Sequence, residues 1–163
     1  MSDMRRKDRE MTAQEAGALL KKCEHGVLSL ISPANTPYAV PLNYVYIEDE
    51  NALYVHCALK GRKLECLEKN SAAFFTVVGS ADVLIDSFTT LYESASAFGT
   101  AALLDDAEDR KRVLMELCAK YYGAGKMDDA AFNATKEYIG KHLAATAIIK
   151  MNIEGITGKA NNR

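Results

Sequence analysis

The chain has 163 residues, 48% of them hydrophobic and 26% charged, with a formal net charge of −2. That length suits one domain around a single core, read here as residues 1–163, and the near-neutral charge points to neither nucleic acid nor an anionic membrane as partner. No apolar run nears the ~20 residues of a membrane helix and no apolar signal region follows the N-terminus, so the reading is a cytoplasmic protein.

Thr12 and Glu15 stand at the spacing of a capping box. Ala16, Leu19, Leu20 and Cys23 then share one face of a helix that Gly26 ends. Residues 26–31 read as a strand, and a turn with Ser, Pro and Asn follows. A longer strand, 38–47, contains Pro41, and a strand proline marks an edge, a bulge or a missing ladder donor. The acidic turn at 48–51 leads into an aromatic and β-branched strand at 53–57, so the links are antiparallel.

A basic turn at 60–63 opens a short helix through residue 68. Residues 72–78 have the composition of a buried strand, and 81–90 carry weaker signals. Residues 92–104 read as a strand with Gly99 at a bend or close approach. Asp105 or Asp106 can cap the next helix, where Val113, Leu114, Leu117 and Cys118 recur at helical spacing. Tyr121, Tyr122, Gly123, Ala124 and Gly125 end it. Asp128 and Asp129 start another helix through His142; residues 145–153 form the last strand, and the tail from Gly155 reads as loop. His25 and His142 are placed at helix C-terminal ends, where partial positive charge is favourable, and are read as structural. Around six antiparallel strands with appended helices argue for an α+β fold, mainly β, rather than an alternating βαβ domain.

Cys23, Cys57, Cys66 and Cys118 are scattered in apolar or amphipathic segments. They are read as free, reduced residues rather than a metal or disulfide set. The chemistry-bearing stretch is Lys60, Gly61, Arg62 and Lys63. Cations beside free amides at a helix start can anchor a phosphate, and Gly61 lets backbone approach a ligand or take positive φ. The alternative is a solvated helix start. Neither the GxxxxGK[ST] nor the GxGxxG pattern occurs.

Four features occur in order: Pro37 to Tyr46 with Pro41 and Asn43, the acidic turn, the strand carrying His56, and the basic turn. This order resembles the pyridoxamine 5'-phosphate oxidase-like flavin-binding split barrels. The N-terminal Met4 to Met11 segment and the Ile156, Thr157, Gly158, Lys159 segment most resemble the nitroimidazole-resistance branch. The resemblance covers residues 4–159 and implies an antiparallel split β-barrel that binds FMN. Arg62 and Lys63 would hold the flavin phosphate, with Lys60 as a further cation. Val40, Pro41, Leu42 and Asn43 would line the isoalloxazine ring and ribityl chain. His56 would face the ligand site, with Cys57 beside it in the cofactor-binding set. Ser94 would reach a flavin held mainly by the other subunit of a homodimer, and Lys159 would approach it from the tail. The plainer readings are a core strand with an edge proline, a structural His56 and a frayed Lys159.

The implied activity is FMN-dependent reduction of a small electrophile such as a nitro compound. The electron source would be NAD(P)H, docking transiently. No catalytic residue and no metal ligand is assigned. Alternatives are a flavin store or redox sensor without turnover, and haem binding with His56 as axial ligand. Trp is absent and the tail arginine pattern of true pyridoxamine phosphate oxidases is missing, which argues against vitamin B6 oxidation.

Overall fold

The computed structural model describes residues 4–123 and 125–162. Ala124, one of the residues expected to end the third helix, lies outside them. The strands are β1 (Glu10–Met11), β2 (His25–Ile31), β3 (Pro37–Asn43), β4 (Val45–Ile47), β5 (Ala52–Ala58), β6 (Ala72–Leu84), β7 (Thr89–Leu103) and β8 (Thr146–Asn161). The helices are α1 (Ala13–Lys22), α2 (Arg62–Lys69), α3 (Ala107–Tyr122) and α4 (Asp129–His142). All pairings are antiparallel. The sheet runs β3-β2-β6-β7-β8-β5-β4, with β1 added on β8. This is the split-barrel arrangement, with eight strands among the described residues where around six were expected.

The helices start where their caps dictate. The Thr12 side chain accepts from the Glu15 amide at 3.2 Å and Glu15 accepts from the Thr12 amide at 2.7 Å, completing the capping box. Asp106, not Asp105, caps α3, and Asp128 caps α4. Leu19 and Leu20 of α1 are buried in the barrel core with Leu28, Tyr44, Phe75, Val77 and Ile149. Each such leucine contributes roughly 1.5–3 kcal/mol relative to exposure. A second, smaller cluster (Val45, Ala52, Tyr54, Val113, Leu117 and Ile148) seats α3 against β4, β5 and β8.

Four element readings change. The strand expected over 38–47 is broken at Tyr44, because that ring is fully buried and its hydroxyl donates to the Leu20 carbonyl at 2.5 Å. Anchoring it turns the chain from β3, which pairs with β2, into β4, which pairs with β5. His25 opens β2 opposite Asn43 rather than ending a helix. Residues 81–90 belong to one long hairpin of β6 and β7. The tail from Gly155 is strand, not loop: β8 continues to Asn161 along β7, and β1 pairs with its other edge at Gly158 and Lys159.

Gly99 is at a close approach, as expected. A Cβ there would lie 2.0 Å from the Asn152 carbonyl oxygen, and the β7–β8 register shifts between Phe98 and Gly99. Among the described residues no helix is long and apolar enough to cross a membrane, and no group of three or more His, Cys, Asp or Glu is placed to hold a metal ion.

Candidate functional site

The sequence pattern of β3 explains what that strand presents. Burial alternates along it, so Tyr38, Val40 and Leu42 turn inward against the barrel core while Ala39, Pro41 and Asn43 stay exposed. The expected flavin-lining run is therefore split between two faces, a consequence of the period of two in any strand. β3 pairs only with β2 among the described residues, an edge position where the missing N–H of Pro41 leaves little unsatisfied. In β5 the same alternation sends Val55 and Cys57 inward and leaves His56 exposed.

The basic turn sits directly after β5. Gly61 is the N-cap of α2 with φ of +137°, a region that favours glycine, and a Cβ there would meet nothing within 4 Å. No side chain caps the helix, so its first amides face outward beside Lys60, Arg62 and Lys63. The Arg62 guanidinium carbon stands 5.2 Å from the centroid of the Tyr38 ring, tying the start of α2 to β3. Burial pushes the Cys57 thiol up, and the Lys63 ammonium opposes that rise, which places Lys63 near Cys57. β3, the end of β5 and the start of α2 thus bring Val40, Leu42, Cys57, Arg62 and Lys63 into one neighbourhood. Lys60, with Gly61, also lines an adjoining pocket with Leu64, Glu65 and Leu103.

Asn43 and His56 face another way. Both line a cleft of about 560 Å³ whose far walls come from α3 and α4, including Leu114, Tyr121, Tyr138 and His142. Tyr138 and His142, one helical turn apart, stack with ring centroids 4.0 Å apart. The His142 Nδ1 lies 2.8 Å from the Tyr138 carbonyl oxygen, which can only accept, so Nδ1 carries the proton. None of these helix residues was singled out from the sequence as lining a site. The signal was present in the adjacent Tyr121 and Tyr122 and in the Tyr138–His142 spacing, but helical spacing alone does not distinguish a wet aromatic face from a buried one.

Ser94 and Lys159 lie together elsewhere. They are partners in the β7–β8 ladder, and the Ser94 hydroxyl donates to the Lys159 carbonyl at 3.4 Å. The Lys159 ammonium is 5.8 Å from the Tyr92 ring centroid. His56 is paired with Ile148, eleven residues before Lys159 on the same strand (159 − 148). A strand rises about 3.3 Å per residue, so the two groups occupy opposite ends of β8.

A profile of the pyridoxamine 5'-phosphate oxidase family matches residues 12–160. No curated protein matches the chain. Among solved structures, a protein of Bacteroides thetaiotaomicron described as a candidate 5-nitroimidazole antibiotic resistance protein superposes with a TM-score of 0.72 and 19% identity. The match covers 92% of this chain and 85% of that one. An FAD and haem binding protein of Mycobacterium smegmatis gives 0.73 at 17% identity, over 95% and 74% of the two chains. A flavocytochrome of Azotobacter vinelandii gives 0.74 at 18% identity, over 99% and 73%.

Proposed function

The chain belongs to the pyridoxamine 5'-phosphate oxidase family, and from that membership we propose that it is an FMN-dependent oxidoreductase acting on a small electron-poor acceptor. The observation that carries this reading is the uncapped start of α2. Gly61, Arg62 and Lys63 there offer open backbone and two cations beside β3 and Cys57. A phosphate monoester suits this set: the helix amides and dipole favour an anion, and the cations add charge-assisted bonds. Val40, Leu42 and Tyr38 supply the adjoining apolar surface. When bound, a flavin would supply the electron transfer that no side chain here can perform; the protein's part is to hold and orient it.

Ser94 on β7 and Lys159 on β8, partners in one ladder, are read as the residues a second copy brings to this pocket in a two-fold homodimer. The β6–β7 hairpin also favours a partner. Val83, Ile85 and Phe88 near its tip are 71%, 78% and 97% exposed, an apolar arm that one chain leaves in water. Such a pairing would be isologous, each copy giving and receiving the same contacts.

FMN titration into purified protein, followed by bleaching of the bound flavin with NADPH or dithionite, tests the reading. A colourless preparation that takes up no FMN refutes it. A flavin that binds but shows no NAD(P)H-dependent turnover with nitro compounds or quinones would instead identify a flavin store or redox sensor.

A further inference from the structure

We propose that the cleft between α3 and α4 binds an uncharged, planar aromatic compound of the quinone or nitroarene class, held with its edge beside His56 and Asn43. Recognition follows from the lining. Among the described residues no side chain lining the cleft carries a carboxylate, an ammonium or a guanidinium; the nearby Arg110 guanidinium donates to the Thr146 carbonyl and the Lys120 ammonium to the carbonyls of Cys23 and Tyr44. An ionic ligand would lose its hydration there without gaining a counter-charge. The walls are instead flat and apolar: the stacked Tyr138–His142 pair on α4 and Leu114 with Tyr121 on α3. Aromatic rings offset-stack on such surfaces. The volume, about 560 Å³, lies within the roughly 300–1,000 Å³ typical of small-molecule sites.

Asn43 of β3 and His56 of β5 are the polar side chains that these two strands contribute to the lining, and Thr146 and the tyrosine hydroxyls add further polar atoms. Asn43 carries both a donor and an acceptor, and His56 adds an imidazole. The His142 Nδ1 proton is committed to the Tyr138 carbonyl, which leaves Nε2 as the ring nitrogen free to meet a ligand. Carbonyl or nitro oxygens at the ligand edge suit the Asn43 amide donor. Haem is flat as well, but its two carboxylates find no cation in this lining. The identity of the ligand as the electron acceptor rests on the flavin reading above. Its binding does not, because the walls that would hold the ring (Leu114, Tyr121, Tyr138 and His142) belong to helices outside the expected flavin set, although Asn43 and His56 at its edge fall within that set.

The experiment separates the two. Flavin-free protein is titrated calorimetrically with menadione and with 1,4-naphthoquinone-2-sulfonate, a charged ring system of similar size. FMN is titrated in parallel. Menadione is expected to bind at micromolar concentration and the sulfonate at least tenfold more weakly. Tyr138→Ala and His142→Ala should each weaken menadione about tenfold while leaving the FMN affinity unchanged. Tyr138 is 64% exposed, so its removal leaves the core intact, and the FMN titration doubles as a test of folding. Equal binding of the two naphthoquinones, no effect of either variant, or no menadione binding by protein that takes FMN overturns the proposal. Menadione binding by protein that does not take FMN sustains the cleft and refutes the flavin reading instead.

Discussion

The guanidinium of Arg62 packs over the ring of Tyr38, 5.2 Å from its centroid, so the first residue of α2 is already clamped to β3 before any ligand arrives. A side chain held this way loses little further freedom when it binds an anion, the usual advantage of preorganised arginine. Lys63, close to Cys57, is the second cation of the same turn.

Replacing Arg62 and Lys63 together by alanine is expected to remove two charge-assisted contacts, roughly 1.5–3 kcal/mol each. FMN affinity should fall by about two or more orders of magnitude. Riboflavin, which lacks the phosphate, should bind parent and variant nearly alike. Arg62 is exposed and fills no core volume, so the circular dichroism spectrum should be unchanged. Unaltered FMN affinity in the folded double variant would place the phosphate elsewhere.

The hairpin tip offers a test of assembly. Ile85→Asp with Phe88→Asp changes two side chains that are largely in water within one chain, so it should leave the fold of the single chain intact. If a second copy covers them, light scattering should report a monomer where the parent is a dimer. FMN affinity should fall with the lost half of the pocket. A double variant that stays dimeric would show that the copies meet through another face.

Tyr54, Glu50 and Arg112 fasten α3 to β5. The Tyr54 hydroxyl donates to Glu50, and the Arg112 guanidinium is 2.8 Å from the same carboxylate. The Tyr54 hydrogen bond, with the guanidinium beside it, holds the Glu50 carboxyl below its ordinary pKa. A depressed carboxyl contributes stability above the unfolded-state value and loses it as pH falls through the folded one. Glu50→Gln should therefore cost about 1–3 kcal/mol at pH 7 by urea denaturation. That cost should shrink toward pH 3, and one equal at both pH values would argue against the network.

Lys120 should shape the alkaline side. Its ammonium donates to the carbonyls of Cys23 and Tyr44, at 2.7 and 3.0 Å, and lies 3.7 Å from the Tyr44 ring centroid. Burial nevertheless brings its pKa down to about 8. Between that value and the unfolded lysine's, the unfolded state binds more protons, so this group's contribution rises with pH. Burial raises the thiols of Cys23, Cys57 and Cys118, and they act in the opposite sense from about pH 9. The difference between parent and Lys120→Met isolates the lysine. It should shift in the parent's favour by about 1 kcal/mol from pH 7.5 to 9.5, after allowing for screening at a half-buried site. A flat difference would mean that Lys120 stays charged throughout.

Much of the candidate site could be read from the chain because it is local. The turn of Lys60, Gly61, Arg62 and Lys63, the helix it opens and the strand before it are set by neighbouring residues, and the structure forms them at those positions. What local reading missed is the facing of side chains. Val40 and Leu42 go to the core, Pro41 and Asn43 do not. His56 joins Asn43 in a cleft whose other walls lie 58 or more residues later in the sequence (114 − 56).

The sequence by itself determined the features that depend on a few adjacent residues. Thr12 with Glu15, Asp106 and Asp128 satisfy the first amides of their helices wherever those helices end up. The alternation of apolar residues decides that β2 and β3 have an inner and an outer face. Tertiary structure decided what depends on a distant partner. Tyr44 interrupts a strand because a buried hydroxyl must find an acceptor, and it finds the Leu20 carbonyl of α1. Residues 155–161 are polar enough to read as a loop, yet form strand because β7 runs along them and β1 pairs with Gly158 and Lys159. A hydrogen-bond partner supplied across the fold leaves no mark in the local pattern, which is why these elements, and the cleft between α3 and α4, became visible only once the chain was folded.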